Sequence, residues 1–257
     1  MQEDARRNGC PIWYRGQRCS EWPLQSSLHR RIEKDLKEVG RSLAPDVQVE
    51  MMRDAYKSLY RKYKARAWHL LTIQEMSDWG VIFSMQHHNV PTRLLDWTES
   101  FICALYFANF GRDSSDAAAI YLLSPEGLNA ATVKHRGLIA LGEDIGEANI
   151  DLAPYHPSCL TDSRPLHTIA VSPIFTNPRM VAQQSAFTLS GDSFVSLDES
   201  YCKFIMKIIL PPSTYNDSRQ FLDLVGVGHF SYFPDFQGLR AELISEMDRE
   251  VETAKEE

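Results

Sequence analysis

The sequence predicts an α+β fold in which a helical N-terminal half packs on a mainly antiparallel or split sheet drawn from the C-terminal half. Three observations lead there. Val49, Met52, Tyr56, Leu59, Tyr60 and Tyr63 recur at helical spacing. Apolar runs over 118–123, 187–189 and 201–210 read as strands. The strands follow the helices instead of alternating with them, which argues against a series of βαβ units.

Each element has its own signal. Trp13-Tyr14-Arg15-Gly16-Gln17 stands where a first strand is expected. Pro45-Asp46 opens a helix running to about Arg66, since proline is tolerated in a first turn. A second helix is expected over Ile73 to His87, closed by Asn89, which tolerates left-handed backbone, and by Pro91, which forces extension. A third begins near Glu99, with Asp96 or Thr98 as its N-cap, and carries Phe101, Leu105, Ala108 and Asn109. Ala118 to Leu123 reads as a buried strand stopped by Ser124-Pro125. Residues 130–165 lack periodicity and read as a long irregular insertion, a surface loop in the plainest case. Asn177 caps a short helix begun by Pro178, which turns into a strand through Ser185 and Ala186. The run ending at Leu210 alternates Lys203, Ile205 and Lys207 with Phe204, Met206 and Ile208, and Pro211-Pro212 stops it. Asp235 begins a charged amphipathic helix that continues from Gly238, and residues 250–257 form a solvated tail. The 257 residues fit one domain.

Composition narrows the function. With 44% hydrophobic residues the chain builds a core without staples. Five scattered cysteines (Cys10, Cys19, Cys103, Cys159, Cys202) show no CxxC spacing, so neither a disulfide framework nor a zinc site is suggested. No signal peptide or membrane span is read, and a reducing cytoplasm is the expected location. A net charge of −7 argues against a surface built for non-specific phosphate contact, though not against a small basic pocket.

Four polar motifs stand out against that background. In Trp13 to Gln17, Arg15 offers a planar fork of donors for phosphate or carboxylate, and Gly16 permits close approach; a structural arginine at a strand end is the equal alternative. The run Gln86-His87-His88-Asn89-Val90-Pro91-Thr92-Arg93-Leu94-Leu95-Asp96-Trp97-Thr98 holds more ionisable side chains than capping requires. A shared metal is disfavoured, because adjacent residues on a helix point about 100° apart. Arg179 and Gln183 fall on one helical face near Gln184, Phe187 and Thr188; taken alone, that segment reads first as an ordinary helix-to-strand connection. Asp235 is either a helix-terminal carboxylate or a catalytic one.

In order from Trp13 to Leu239, these motifs resemble the FRG domain family, named for its aromatic-Arg-Gly signature. Two positions depart from the family pattern: Asn89 and Ser185 stand where it has glycine. The resemblance implies a bacterial effector of the kind found near defence and toxin-like loci, including antiviral ones. The order of motifs is also similar to ADP-ribosyltransferase-like folds. That likeness implies NAD as substrate; no metal is expected from the spacing of the histidines and cysteines. Arg15 would then hold the diphosphate or ribose, with Phe187 as stacking ring, Thr188 as hydroxyl, and Asp235 or Asp96 as acid. Tyr14, Gly16, Gln17, Gln86, Arg93, Arg179 and Gln184 would complete the ligand site, with His88 among the catalytic candidates. The expected function is therefore NAD consumption by transfer or hydrolysis. The alternatives are a metal-independent nuclease using His87 or His88, with a nucleic-acid or protein target, and a non-catalytic nucleotide or phage-component sensor.

Overall fold

Seven strands form one sheet in the computed structural model, which describes residues 11–40, 43–141, 150–159 and 165–256. They are β1 (Trp13–Gln17), β2 (Leu94–Thr98), β3 (Ala118–Leu123), β4 (Ile139–Ala140), β5 (Ile169–Ser172), β6 (Ser185–Leu189) and β7 (Ile205–Leu210). Their order is β4-β5-β6-β2-β1-β3-β7, and every pair is antiparallel except β4 with β5. The α+β class and the mainly antiparallel sheet are as the sequence predicts.

The sheet does not belong to the C-terminal half alone, however. Its centre is β1 and β2, both from the N-terminal half. Residues 94–98, expected to serve partly as a helix cap, are instead a central strand opposite β6. The cap of the following helix is Ser100, whose Oγ accepts from the Cys103 N–H, and Thr98 Oγ1 accepts from the Ser100 N–H.

The helices are α1 (Ser27–Glu38), α2 (Pro45–Ala67), α3 (Asp78–His87), α4 (Phe101–Asn109), α5 (Pro125–Thr132), α6 (Pro178–Ala182), α7 (Leu197–Ser200), α8 (Tyr215–Leu224), α9 (His229–Tyr232) and α10 (Phe236–Glu256). The single helix expected over 73–87 is divided. A 3₁₀ turn at Gln74–Met76 precedes Ser77, which leaves helical geometry and caps α3 by accepting from the Gly80 N–H. Helix α3 ends in a Schellman arrangement: Asn89 N–H donates to the Gln86 carbonyl, Val90 N–H donates to the Met85 carbonyl, and Asn89 takes φ 58°.

Register fixes which side chains share a face. Leu94, Asp96 and Thr98 point with Tyr14, Gly16, Ile120, Leu122 and Phe187 to one face; Trp13, Leu95, Trp97, Tyr121 and Thr188 point to the other. Two helical groups cover the first face. Met52, Tyr56 and Tyr60 of α2, with Val81, Ile82 and Met85 of α3, pack over β2, β5 and β6. Cys103, Ala104 and Ala108 of α4, with Leu222 of α8 and Tyr232 of α9, pack over β3. On the second face Trp13, Trp97 and Tyr121 pack with Leu128 of α5 and Leu197 of α7.

The stretch over 130–165 is less loop-like than expected where it is described. Ile139, Leu141 and Tyr155 are buried in the core beneath α2, and β4 joins the sheet edge. Residues 142–149 and 160–164 lie outside the described residues, as do Cys10 and the charged N-terminus. The tail expected over 250–257 continues α10 through Glu256. Among the described residues no helix is long and apolar enough to cross a membrane.

Candidate functional site

The two helical groups on the first face leave a seam between them, and the floor of that seam is the β1–β2 boundary. Here the sheet opens. Strands β1 and β2 meet in register only at Tyr14 opposite Thr98, whereas β1 continues along β3 and β2 along β6. Where Gly16 and Asp96 would pair next, a side chain intervenes: Arg15 Nη1 donates to the Asp96 carbonyl at 2.5 Å.

A cleft of about 190 Å³ occupies this opening. Tyr14, Arg15, Asp96 and Thr98 form its floor; Gln86 and Asn89 at the end of α3, with Arg179 and Gln183 of α6, form one wall; Cys103, Ala104 and Phe107 of α4 form the other. A smaller lobe continues past Asp96 between Phe83, His87 and Phe187, sharing Gln86, Asp96, Arg179 and Gln183 with the first.

Charge is concentrated at Asp96. Its side chain is 55% exposed, Arg15 Nη1 stands 3.8 Å from its Oδ2, and Gln86 Nε2 donates to that oxygen at 2.9 Å. Gln86 is held in turn, accepting at Oε1 from Thr92 Oγ1 at 2.5 Å. Arg30 and Arg179 also lie within the field of this carboxylate. Burial lowers the pKa of Arg15, Arg30 and Arg179, and Asp96 opposes that effect in each. Guanidinium remains charged at any physiological pH, so Arg15 and Arg179, which line the cleft with Asp96, leave it with a positive balance that attracts anions; Arg30 donates to the Gln25 carbonyl and lines a separate groove. Arg15 Nε is buried without a hydrogen-bond partner. Cys103 is not an available nucleophile, because burial pushes its thiol up to about 12.

Of the expected ligand-site residues, Tyr14, Arg15, Gly16, Gln86, Asp96, Arg179 and Phe187 line the cleft or its smaller lobe. Gly16 has a packing reason as well: a Cβ there would stand 1.8 Å from the Ala104 carbonyl oxygen, so glycine is what lets α4 lie on β1.

Others are elsewhere. Arg93 is fully buried, donating to the Ser190 carbonyl and pairing with Asp192 at 3.1 Å, so it braces the interior and holds no ligand. Thr188 is fully buried on the opposite face, accepting from Trp97 Nε1 at 3.1 Å. Gln17 is buried and contributes nothing to the cleft lining. His88 is exposed outside the cleft, and its neighbour His87 lines the smaller lobe. The two rings meet edge to face at 4.8 Å, despite the divergence of adjacent helical positions.

Gln184 ends α6 at φ 45°, its carbonyl accepting from the Glu99 N–H; Gln183 takes the place in the cleft expected of it. Asp235 accepts from the Gly238 N–H at 2.8 Å as the cap of α10, within electrostatic reach of Arg179 and His87. Arg30 was not singled out by the sequence. It lies in the charged run of α1 with no motif to mark it. Among the described residues no group of three or more His, Cys, Asp and Glu is placed to hold a metal ion.

Residues 11–117 match the model of the FRG domain. That segment is similar to the FRG domain. The matched segment supplies β1, β2, α3 and α4, hence the floor, one wall and half of the other, while Arg179 and Gln183 come from beyond it. No curated protein and no solved structure matches the chain.

Proposed function

We propose that this cleft binds NAD and consumes it, by ADP-ribosyl transfer or hydrolysis, as a bacterial effector activity. The observation that carries this reading is the exposed Asp96 carboxylate beside Arg15, with Arg179 lining the same cleft, where the two central strands part. Arginines suit a diphosphate because each offers a planar fork of charge-assisted donors. A carboxylate beside them suits the positive charge that grows on the ribose as the bond to nicotinamide breaks. In that step the bonding electron pair leaves with nicotinamide, and water or an acceptor nucleophile then bonds to the ribose carbon and gives up its proton. Phe187, expected as the stacking ring, is buried at the back of the smaller lobe and closes it.

The test is nicotinamide release from NAD by the parent protein, by Asp96→Asn and by Arg15→Lys. Losing one charge aimed at the transition state costs on the order of 10²–10³ in rate. Asp96→Asn is therefore expected to lose turnover by that factor while still binding ADP, and Arg15→Lys to weaken both.

A second reading rests on His87. Burial first, then the charges of Arg179 and His88, hold its pKa below the ordinary imidazole value, so at neutral pH it is the free base that a metal-independent phosphodiesterase needs. RNA cleavage without NAD turnover selects this reading. Binding of ADP with neither reaction selects a sensor.

A further inference from the structure

The Arg179 side chain makes no hydrogen bond among the described residues. What holds it is a ring: its guanidinium carbon lies 4.5 Å from the centroid of Phe233. Phe233 is itself one member of a stack. Its ring lies parallel to His229, with centroids 4.4 Å apart and planes 12° apart, and His229 stacks on Phe110 at 5.1 Å. Tyr106 fixes the imidazole edge through a 2.6 Å hydrogen bond to Nδ1. The same short segment is tied to the cleft a second time, where Gln183 Nε2 donates to the Tyr232 carbonyl at 3.0 Å. At its far end the stack reaches the wall of a separate cavity of about 350 Å³ between α4, α8 and α10, lined in part by Tyr106, Phe110 and His229.

We infer that Phe233, backed by His229, is a positioning residue that aims Arg179 into the ligand cleft. This rests on the reading that Arg179 holds an anionic ligand. A guanidinium on a long flexible stem loses rotamer freedom when it binds. An aromatic face beneath it takes part of that loss before the ligand arrives, and the attraction of ring for cation keeps it there. The charged and titratable groups around His229 are Tyr106 from α4, Arg179 from α6, Asp235 at the start of α10 and Glu242 within α10. Burial chiefly lowers the His229 pKa, and Arg179 adds to that against Glu242 and Asp235, so the titration of His229 responds to where Arg179 sits, without any ligand.

The experiment uses ADP as probe, with calorimetric binding, thermal melting and NMR titration of the His229 ring, in the parent, in Arg179→Met, Phe233→Leu and Phe233→Tyr, and in Phe233→Leu on the Arg179→Met background. Removing the ring from a partly desolvated cation–π pair corresponds to about a threefold to thirtyfold loss. Phe233→Leu is expected to weaken ADP by that factor and to move the His229 titration upward, in the same direction as Arg179→Met. Phe233→Tyr is expected to match the parent in both. If Arg179→Met loses ADP but a folded Phe233→Leu binds like the parent, the positioning role is refuted and the cleft reading stands. If the parent does not bind ADP, or Arg179→Met binds it unchanged, the cleft reading fails. The titration then decides the positioning alone: a Phe233→Leu shift that disappears in the Arg179→Met background upholds it, and a shift of equal size in that background, the mark of the opened His229 stack, overturns it.

Discussion

Replacing Asp192 with alanine tests what Arg93 is for. Asp192 Oδ1 accepts from Arg93 Nη2 at 3.1 Å, and Oδ2 accepts from Arg53 Nη2 at 2.6 Å and from the Leu166 N–H at 2.7 Å. Arg93 has no exposed surface and Asp192 has 7%. Without the carboxylate a fully buried guanidinium loses its counter-charge, and breaking a buried pair from one side costs about 3–5 kcal/mol. At about 2–4 °C per kcal/mol for a chain of this size, the melting temperature should fall by roughly 6–20 °C. Burial alone would raise the Asp192 pKa, but the Arg53 hydrogen bond, the Arg93 charge and the Leu166 N–H outweigh it and hold it below the ordinary carboxylate value. A depressed folded-state value stabilises fully above the unfolded value of about 3.9 and ceases to do so as pH falls through the folded one. The gap between parent and variant should therefore be widest near neutral pH and close in acid. Calorimetric melts at several pH values measure it. A variant that melts within about 2 °C of the parent at pH 7 would show that the pair contributes nothing net and that this account of Arg93 is wrong.

Other outcomes follow from the same geometry. Thr188→Val should cost about 1 kcal/mol of stability, read by denaturant melts, through the lost Trp97 hydrogen bond, and leave ADP binding unchanged, because Thr188 lies on the far face. Gly16→Ala should destabilise by about 1–3 kcal/mol or more, since its Cβ would collide with the Ala104 carbonyl; a melt equal to the parent would rule out the close packing of α4 on β1. Burial chiefly, with the charge of Arg93, pushes the His29 pKa down to about 3 from 6.5, so the unfolded chain takes the proton first. Stability should decline as pH falls from about 6.5, and His29→Gln should flatten that decline.

Local signals were legible in the sequence and long-range ones were not. The first strand, the capped start of α6, the end of α3 at Asn89 and the strand before Ser124-Pro125 each announce themselves within a few residues. Strand β2 does not. It is buried on both faces apart from Asp96, so it lacks the alternation that marks a half-buried strand, and its Asp and Thr look like caps. The site was legible in part for the same reason. Arg15, Gln86, Asp96 and Arg179 stood out as polar groups in excess of local need, and they do converge. Arg93 stood out equally, but its partner Asp192 lies 99 residues away, and no local pattern ties an interior ion pair together. The choice between Gln183 and Gln184 depended on which residue would take the left-handed turn after α6. Arg30 and Phe233 matter only through neighbours brought in by the fold.

The single registered pair between β1 and β2 has a mechanical consequence. A hydrogen-bonded ladder fixes one separation between strands, about 4.8 Å. A side chain bridging the same span can adopt several, because each of its torsions has alternative wells. The boards of the sheet, β4-β5-β6-β2 on one side and β1-β3-β7 on the other, are therefore pinned at Tyr14 and Thr98 and stayed by Arg15 at the Asp96 carbonyl. An anion that draws the guanidinium away loosens the stay, so filling the seat and setting its width become the same event.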